Sequence, residues 1–167
     1  TILDMPNTNP PTTDTQRLEE KRKLAKKSIV NYGFHFGSTN DNIAEIEQVK
    51  GVASVKVYMD YTTGDLRLED YNVLKRIFSS NKTITVHGES ENILKALEFI
   101  QHGNNHVHFC HISSKEELHY AKGKMIKKPI SVEVCPHHLF LNAGHLNKLG
   151  SLGEMKPSLK TREDQKA

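Results

Sequence analysis

The chain has 167 residues, of which 36% are hydrophobic and 26% charged, and these values predict a globular domain with a substantial core. No apolar run approaches the ~18 residues of a membrane span, and the net charge of +3 is spread over scattered basic and acidic residues, so neither membrane insertion nor nucleic-acid binding is expected. Two cysteines are too few for a disulfide framework, and a reducing, cytoplasmic location is expected.

Short apolar runs alternate with longer amphipathic runs along the chain. The stretch 136–160 is loop-like in composition, and a last helix is expected to begin within 161–164. Strands that alternate with helical patterns predict βα units around a parallel sheet. In chain order, strands are predicted over 1–5, 29–36, 54–59, 83–87, 106–112 and 129–135, and helices over 15–28, 39–49, 68–78, 90–100 and 113–125.

Two architectures of the α/β class accommodate this pattern, an open doubly wound sheet and a (β/α)8 TIM-type barrel. Polar residues at the ends of several strands favour the barrel. The glycine-rich phosphate motifs typical of doubly wound sheets do not occur in the sequence. A complete barrel takes ~250 residues. We therefore expect residues 1–167 to form a single partial barrel domain of about six consecutive βα units, without the first and last barrel strands.

Lys56 lies inside the third predicted strand, between Val55 and Val57. Burial of an ammonium group is costly unless the group is paired, neutralised or modified. The lysine could instead extend its charged end to water, or act as an uncharged Schiff-base nucleophile. Addition of carbon dioxide would convert it to a carbamate, an anionic oxygen ligand for a metal.

Histidines follow Lys56 at intervals of one βα unit. His87 lies 31 residues after Lys56, and His111 lies 24 residues after His87, each at the end of a predicted strand. Each histidine alone is explained as well by a satisfied polar residue near a strand end. Three such groups on one rim of the sheet, one of them an interior lysine, favour a metal site.

Six short motifs stand out along the chain: MPNT at 5–8, VKVYM at 55–59, VHGE at 86–89, HFCHI at 108–112, EVCPHHL at 133–139 and GEMKP at 153–157. They occur in the order and spacing of dihydroorotases, which belong to the amidohydrolase superfamily. Over essentially its whole length, the chain resembles this family. Hydantoinases and allantoinases share the lysine and the two histidines, but EVCPHHLFL at 133–141 is more similar to dihydroorotases.

The resemblance implies a (β/α)8 barrel with two zinc ions. Lys56 would be carboxylated and bridge both ions, while His87 and His111 would bind the more exposed one. Cys110 is expected to alternate to the other face of its strand and to be a packed thiol.

The resemblance also assigns substrate-side roles. Asn7 matches the asparagine that binds the substrate carboxylate. Lys156 stands where some relatives have a substrate-binding arginine or asparagine. His137 and His138 are expected to shape the site rather than to bind metal.

Two features of the family are not found in the chain. The first metal ligands of the family are a His-x-His pair on the first barrel strand, and the pair His106 and His108 lies on the wrong strand for that role. The catalytic aspartate of the family lies on its last strand, whereas Asp164 belongs to a helix start. No catalytic residue is therefore assigned within the chain.

For the complete protein, the resemblance implies reversible cyclisation of N-carbamoyl-L-aspartate to L-dihydroorotate in de novo pyrimidine synthesis. The partners implied are this small-molecule substrate and either further copies of the chain or other pyrimidine-pathway enzymes. Two alternatives stay open. One is an allantoinase- or hydantoinase-type cyclic amidohydrolase, and the other is a non-catalytic dihydroorotase-like subunit.

Overall fold

A computed structural model describes residues 1–62, 64–125 and 128–167. Its six strands form one parallel sheet in the order β1-β2-β3-β4-β5-β6, so every strand pairs with its neighbours in sequence. Thr63, in the loop predicted after the third strand, lies outside the described residues. The strands are β1 Ile2–Asp4, β2 Tyr32–Gly37, β3 Ser54–Tyr58, β4 Ile84–His87, β5 Val107–Phe109 and β6 Ile130–Val132.

A helix follows each of the first five strands, and three short helices follow β6. Asp14 and Asp70 cap two of them, because their carboxylates accept hydrogen bonds from first-turn backbone amides. Within the described ranges, no helix combines the length and the apolar character that a membrane crossing requires. The helices are α1 Thr15–Ala25, α2 Ile43–Gln48, α3 Tyr71–Phe78, α4 Glu91–Phe99, α5 Lys115–Met125, α6 Pro136–Phe140, α7 Leu146–Leu149 and α8 Arg162–Lys166.

The strand order decides between the two predicted architectures. A doubly wound sheet reverses its strand order at a switch point, so that helices cover both faces. Here the order never reverses, and crossovers of one hand place successive helices on the same face. The sheet is therefore a partial (β/α) barrel of six parallel strands, as the sequence predicted.

The two faces of the sheet differ in chemistry. Residues that face the helices are apolar and form the core with Leu18, Ile46 and Phe78. Residues that alternate with them, on what we call the inner face, are polar. The core-facing strand residues include Phe36, Val55, Val57, Ile84, Val86, Val107 and Phe109, each at most 1% exposed. The inner face carries His35, Ser54, Lys56, Thr85, His87 and His108, as the strand register shows.

Several predicted boundaries were wrong. The fifth strand ends at Phe109 rather than at residue 112, so His111 lies beyond it. The third helix begins at Tyr71 rather than at residue 68, because the Asp70 carboxylate caps it there. The loop-like stretch 136–160 contains α6 and α7, since Pro136 is pre-organised for the first position of a helix.

Candidate metal centre

Lys56 lies on the inner face of β3, with its backbone between Gly37 of β2 and Thr85 of β4. The residue is 2% exposed. Its Nζ donates a hydrogen bond to Sγ of Cys110 at 2.9 Å and lies 5.3 Å from the ring centroid of Tyr58. A thiol is a weak acceptor. The lysine is thus buried and held by weak partners.

Among the described residues, the Lys56 ammonium has no carboxylate partner. Across the described part of the chain, no acidic oxygen lies within 4.0 Å of its Nζ. Burial of a cation without a counter-charge is strongly unfavourable. Neutralisation of the Lys56 ammonium would therefore lower the free energy of the folded protein. Conversion of the lysine to an anion that binds a metal cation would have the same effect.

His87 is the last residue of β4, and His111 lies two residues past the end of β5. Nδ1 of His87 and Nε2 of His111 are 2.7 Å apart, and the two rings meet edge-on with centroids 4.6 Å apart. His87 is 2% exposed, and His111 is half-buried. The two predicted histidines are thus in direct contact.

The backbone of His111 is in the left-handed region, with φ of 42°. Such a conformation is unfavourable for a residue that has a β-carbon. Strand alternation from His108 places Cys110, not His111, on the inner face, and Cys110 does contact Lys56. The prediction that Cys110 faces away from the site was therefore wrong, and His111 reaches His87 by leaving the strand conformation.

Both histidines are held in the neutral form. Burial lowers the pKa of His87 to about 4, and the charge of Lys56 adds to this effect. Burial also lowers the pKa of His111 to about 3, with further contributions from His87 and Lys56. Neutral imidazole is the form that binds metals. At neutral pH the pair is therefore ready to act as ligands.

The histidine pair fits a zinc ion. The nitrogens that face each other, Nδ1 of His87 and Nε2 of His111, are the two atoms that would bind the ion, while the opposite ring nitrogens are buried and have no partner within hydrogen-bond geometry among the described residues. Two imidazoles on one tetrahedral zinc have nitrogens about 3.3 Å apart, given Zn–N bonds of ~2.0–2.1 Å. The 2.7 Å contact would need to widen by only about 0.6 Å. The donor set is thus compatible with zinc.

The residues with predicted substrate-side roles lie on loops beyond the strands. Asn7 follows β1, and a β-carbon on Gly64 would lie 3.9 Å from Cβ of Asn7. Lys156 is exposed and borders an open cavity of about 630 Å³ together with Thr62 and Gly153. The positive charge of Lys156 also lowers the pKa of His87, after burial and the charge of Lys56. Lys156 is thus on the same side of the domain as the histidine pair.

His137 and His138 lie in α6, next to the segment that carries Lys156. His138 is buried, and its Nε2 is 3.1 Å from the backbone oxygen of Pro157. His137 is half-buried, with its ring centroid 4.3 Å from that of His138. Through the Pro157 contact, His138 connects α6 to the segment that carries Lys156.

Comparisons with known proteins agree with these observations. No protein-family model matches the chain. The dihydroorotase of Methanosarcina acetivorans is 31% identical over 100% of this chain and 45% of its own length. The multifunctional protein CAD of Squalus acanthias is 31% identical over 99% of this chain and 8% of its own length.

The chain is a homologue of the dihydroorotases. It spans about half the length of the dihydroorotases that it matches. Solved structures share its fold at lower sequence identity. L-hydantoinase from Arthrobacter aurescens superimposes with a TM-score of 0.90 at 19% identity, over 99% of this chain and 46% of that protein. The inactive dihydroorotase-like domain of a Chaetomium thermophilum CAD-like multifunctional protein gives a TM-score of 0.79 at 18% identity, over 99% of this chain and 49% of that domain.

Two carboxylates beside the histidines of this dihydroorotase homologue were not singled out from the sequence. Asp60 accepts a hydrogen bond from the backbone of Glu89, and Glu117 accepts one from the backbone of Ser90. For Glu117 a signal existed, because Ser114 and Glu117 have the spacing of a helix capping box. For Asp60 no local pattern indicates the contact, which joins residues from two different βα units.

Proposed function

We propose that the full-length protein is a zinc-dependent dihydroorotase that interconverts N-carbamoyl-L-aspartate and L-dihydroorotate in pyrimidine synthesis. The observation that carries this proposal is the contact between His87 and His111, in a domain whose buried Lys56 has no counter-charge among the described residues. The similarity to dihydroorotases selects the reaction, because the same arrangement could serve other cyclic amides.

Lys56, as its carbamate, and the two histidines would hold the zinc ions. Carboxylation replaces an uncompensated cation by an anion, and bound metal neutralises that anion, which removes the cost of burial noted above. When bound, zinc supplies Lewis-acid polarisation of the amide carbonyl and lowers the pKa of water toward ~7. Burial keeps His87 and His111 neutral, and in the metal-bound form the two nitrogens that now face each other would each present a lone pair to the metal.

Asn7 and Lys156 would orient the substrate. Carbamoyl aspartate carries two carboxylates, which an amide N–H and an ammonium group can bind. Lys156 is exposed at the border of the cavity, and its charge reaches His87. His137 and His138 would shape this side of the site, since His138 contacts the backbone of Pro157 next to Lys156. The catalytic aspartate of the family has no assigned counterpart in the chain.

The setting of the protein is part of the proposal. Relatives include multifunctional proteins named CAD and pyr1-3, of which this chain matches about 8%. We therefore propose that the protein works in the cytoplasm, either as a homo-oligomer or together with other activities of pyrimidine synthesis.

The test is a cyclisation assay on the full-length protein with N-carbamoyl-L-aspartate, with hydantoin and allantoin as competing substrate classes. Lys56→Ala is expected to abolish turnover and to lose zinc, while the exposed control Lys23→Ala retains both. Undiminished turnover in Lys56→Ala would reject the role of this lysine. Turnover of hydantoin or allantoin alone would reassign the substrate, and a folded protein without zinc or turnover would indicate a non-catalytic subunit.

A further inference from the structure

The loop that follows His87, the last residue of β4, is held from both sides by carboxylates. Two consecutive backbone amides in this loop donate to different βα units. The amide of Glu89 donates to Oδ2 of Asp60 at 2.7 Å, and the amide of Ser90 donates to Oε1 of Glu117 at 3.0 Å. Asp60 belongs to the unit of Lys56, and Glu117 belongs to the unit of His111.

Glu117 connects the loop that follows His87 with the loop that carries His111 through one buried carboxylate. We call these two segments the histidine loops. Glu117 is 1% exposed. While Oε1 accepts from Ser90, Oε2 accepts from the backbone amides of Ser113 and Ser114 at 2.8 and 3.1 Å and from Oγ of Ser113 at 3.1 Å. Ser90 lies three residues after His87, and Ser113 lies two residues after His111. The Glu117 side chain therefore hydrogen-bonds to both histidine loops, within three residues of His87 and of His111.

The two backbone segments that Glu117 connects are both strained. Among the described residues, the two with positive φ other than glycines are Ser90, at 45°, and His111, at 42°. Each conformation is unfavourable and persists only where the surroundings fix it. Hydrogen bonds from amides to a carboxylate are stronger than those between neutral groups. Glu117 therefore stands where such bonds can hold both strained segments in place.

We propose that Glu117 is a positioning residue that fixes His87 and His111 relative to one another, so that the pair binds zinc. This inference rests on the proposed function, since it concerns the same metal centre. It differs from the simpler role of an N-terminal cap for α5, because a cap would need only the amides of Ser113 and Ser114. The bond to Ser90, from the neighbouring unit, is the feature that a cap alone does not explain.

Glutamine at position 117 separates the two roles. Its carbonyl oxygen can still accept from Ser113 and Ser114, but its amino group cannot accept from the Ser90 amide. Glu117→Ala removes both contacts. A matched control is Asp70→Ala, which removes a carboxylate that accepts from the amides of Asn72 and Val73 at the start of α3, away from both histidine loops.

The experiment measures zinc affinity of the full-length protein by competition with a chelator, together with the visible spectrum of the cobalt-substituted protein and the unfolding of the zinc-free protein. Loss of an outer partner of metal ligands typically weakens binding 10- to 100-fold. We expect Glu117→Gln to bind zinc about 10-fold more weakly, with shifted cobalt bands, and Glu117→Ala to bind more weakly still. Asp70→Ala is expected to bind as the wild type does.

Wild-type zinc affinity in Glu117→Gln would overturn the proposal, as would an equal loss in Asp70→Ala. Because the readout is metal binding, it is independent of the proposed reaction. A wild-type protein that binds zinc but does not cyclise carbamoyl aspartate would contradict the proposed function, while the variants would still decide the role of Glu117. A wild-type protein that binds no zinc would overturn both.

Discussion

Replacement of Lys56 by methionine is expected to stabilise the zinc-free protein and to abolish its response to zinc. Lys56 is 2% exposed, its Nζ bonds to a thiol, and no described carboxylate pairs with it. Methionine keeps an unbranched stem that adapts to the same space. The variant loses one weak hydrogen bond and no longer buries an uncompensated charge.

The magnitude follows from related cases. Replacement of a buried ion pair or triad by apolar residues of similar volume is often neutral or stabilising by about 1–4 kcal/mol. A buried cation without a described counter-charge lacks the attraction that offsets desolvation in such a pair, so a gain in the same range is expected for Lys56→Met. Bound zinc would favour the wild type over the variant, because a ligand at 1,000 times its dissociation constant stabilises the native state that binds it by about 4 kcal/mol. In the absence of zinc, Lys56→Met should therefore be more stable than the wild type, and with zinc and bicarbonate the order should reverse.

The assay is urea unfolding of the full-length protein, once with a chelator and once with zinc and bicarbonate. The exposed control Lys23→Met is expected to stay within about 0.5 kcal/mol of the wild type in both conditions. If zinc-free Lys56→Met were less stable than the wild type, the lysine would be an ordinary packed residue. If zinc stabilised the variant as much as the wild type, Lys56 would not be a ligand.

Three further predictions concern the inner face and the core. Burial, together with the charge of Lys56, lowers the pKa of His35 from 6.5 to about 4, so the unfolded chain takes up the proton first. The free energy of unfolding of the zinc-free protein should thus fall as the pH is lowered from about 6.5 to 4, and it should fall less in His35→Asn. Parallel pH profiles of the wild type and this variant would contradict the prediction. Burial raises the pKa of both thiols, but Cys110 is 2% exposed whereas Cys135 is half-buried, so iodoacetamide should modify Cys135 first, as peptide mass mapping would show. Phe36→Ala should lose about 3–5 kcal/mol in urea unfolding, and a loss below about 1 kcal/mol would mean that the site refills.

The sequence predicted the fold because its signals are local and repeated. Val55 and Val57 alternate with Lys56, and the same alternation recurs in the neighbouring strands, so the apolar face and the polar inner face could both be read from the pattern. The observed strand order excludes the doubly wound sheet. The sequence predicted this order only indirectly, because it favoured a barrel, in which neighbouring strands are consecutive. It depends on contacts between units rather than on any one segment.

The candidate site was predicted less completely, for physical reasons. Spacing by one βα unit indicated that Lys56, His87 and His111 lie on one rim. It could not indicate that His111 lies beyond its strand with positive φ, because no residue pattern marks a histidine in that conformation. Alternation counted back from His111 therefore gave the wrong orientation for Cys110, which follows the alternation of His108 and contacts Lys56. The contact of Glu117 with Ser90 spans 27 residues, beyond the range of any local pattern.

The most direct test of the metal centre is anomalous X-ray diffraction at the zinc edge from crystals of the full-length protein grown with zinc and bicarbonate. The proposed function predicts an anomalous peak about 2.0–2.1 Å from a ring nitrogen of His87 and from one of His111, with density for a carboxylated Lys56 next to it. Crystals with the two rings still in mutual contact, no peak between them and an unmodified lysine would contradict the assignment.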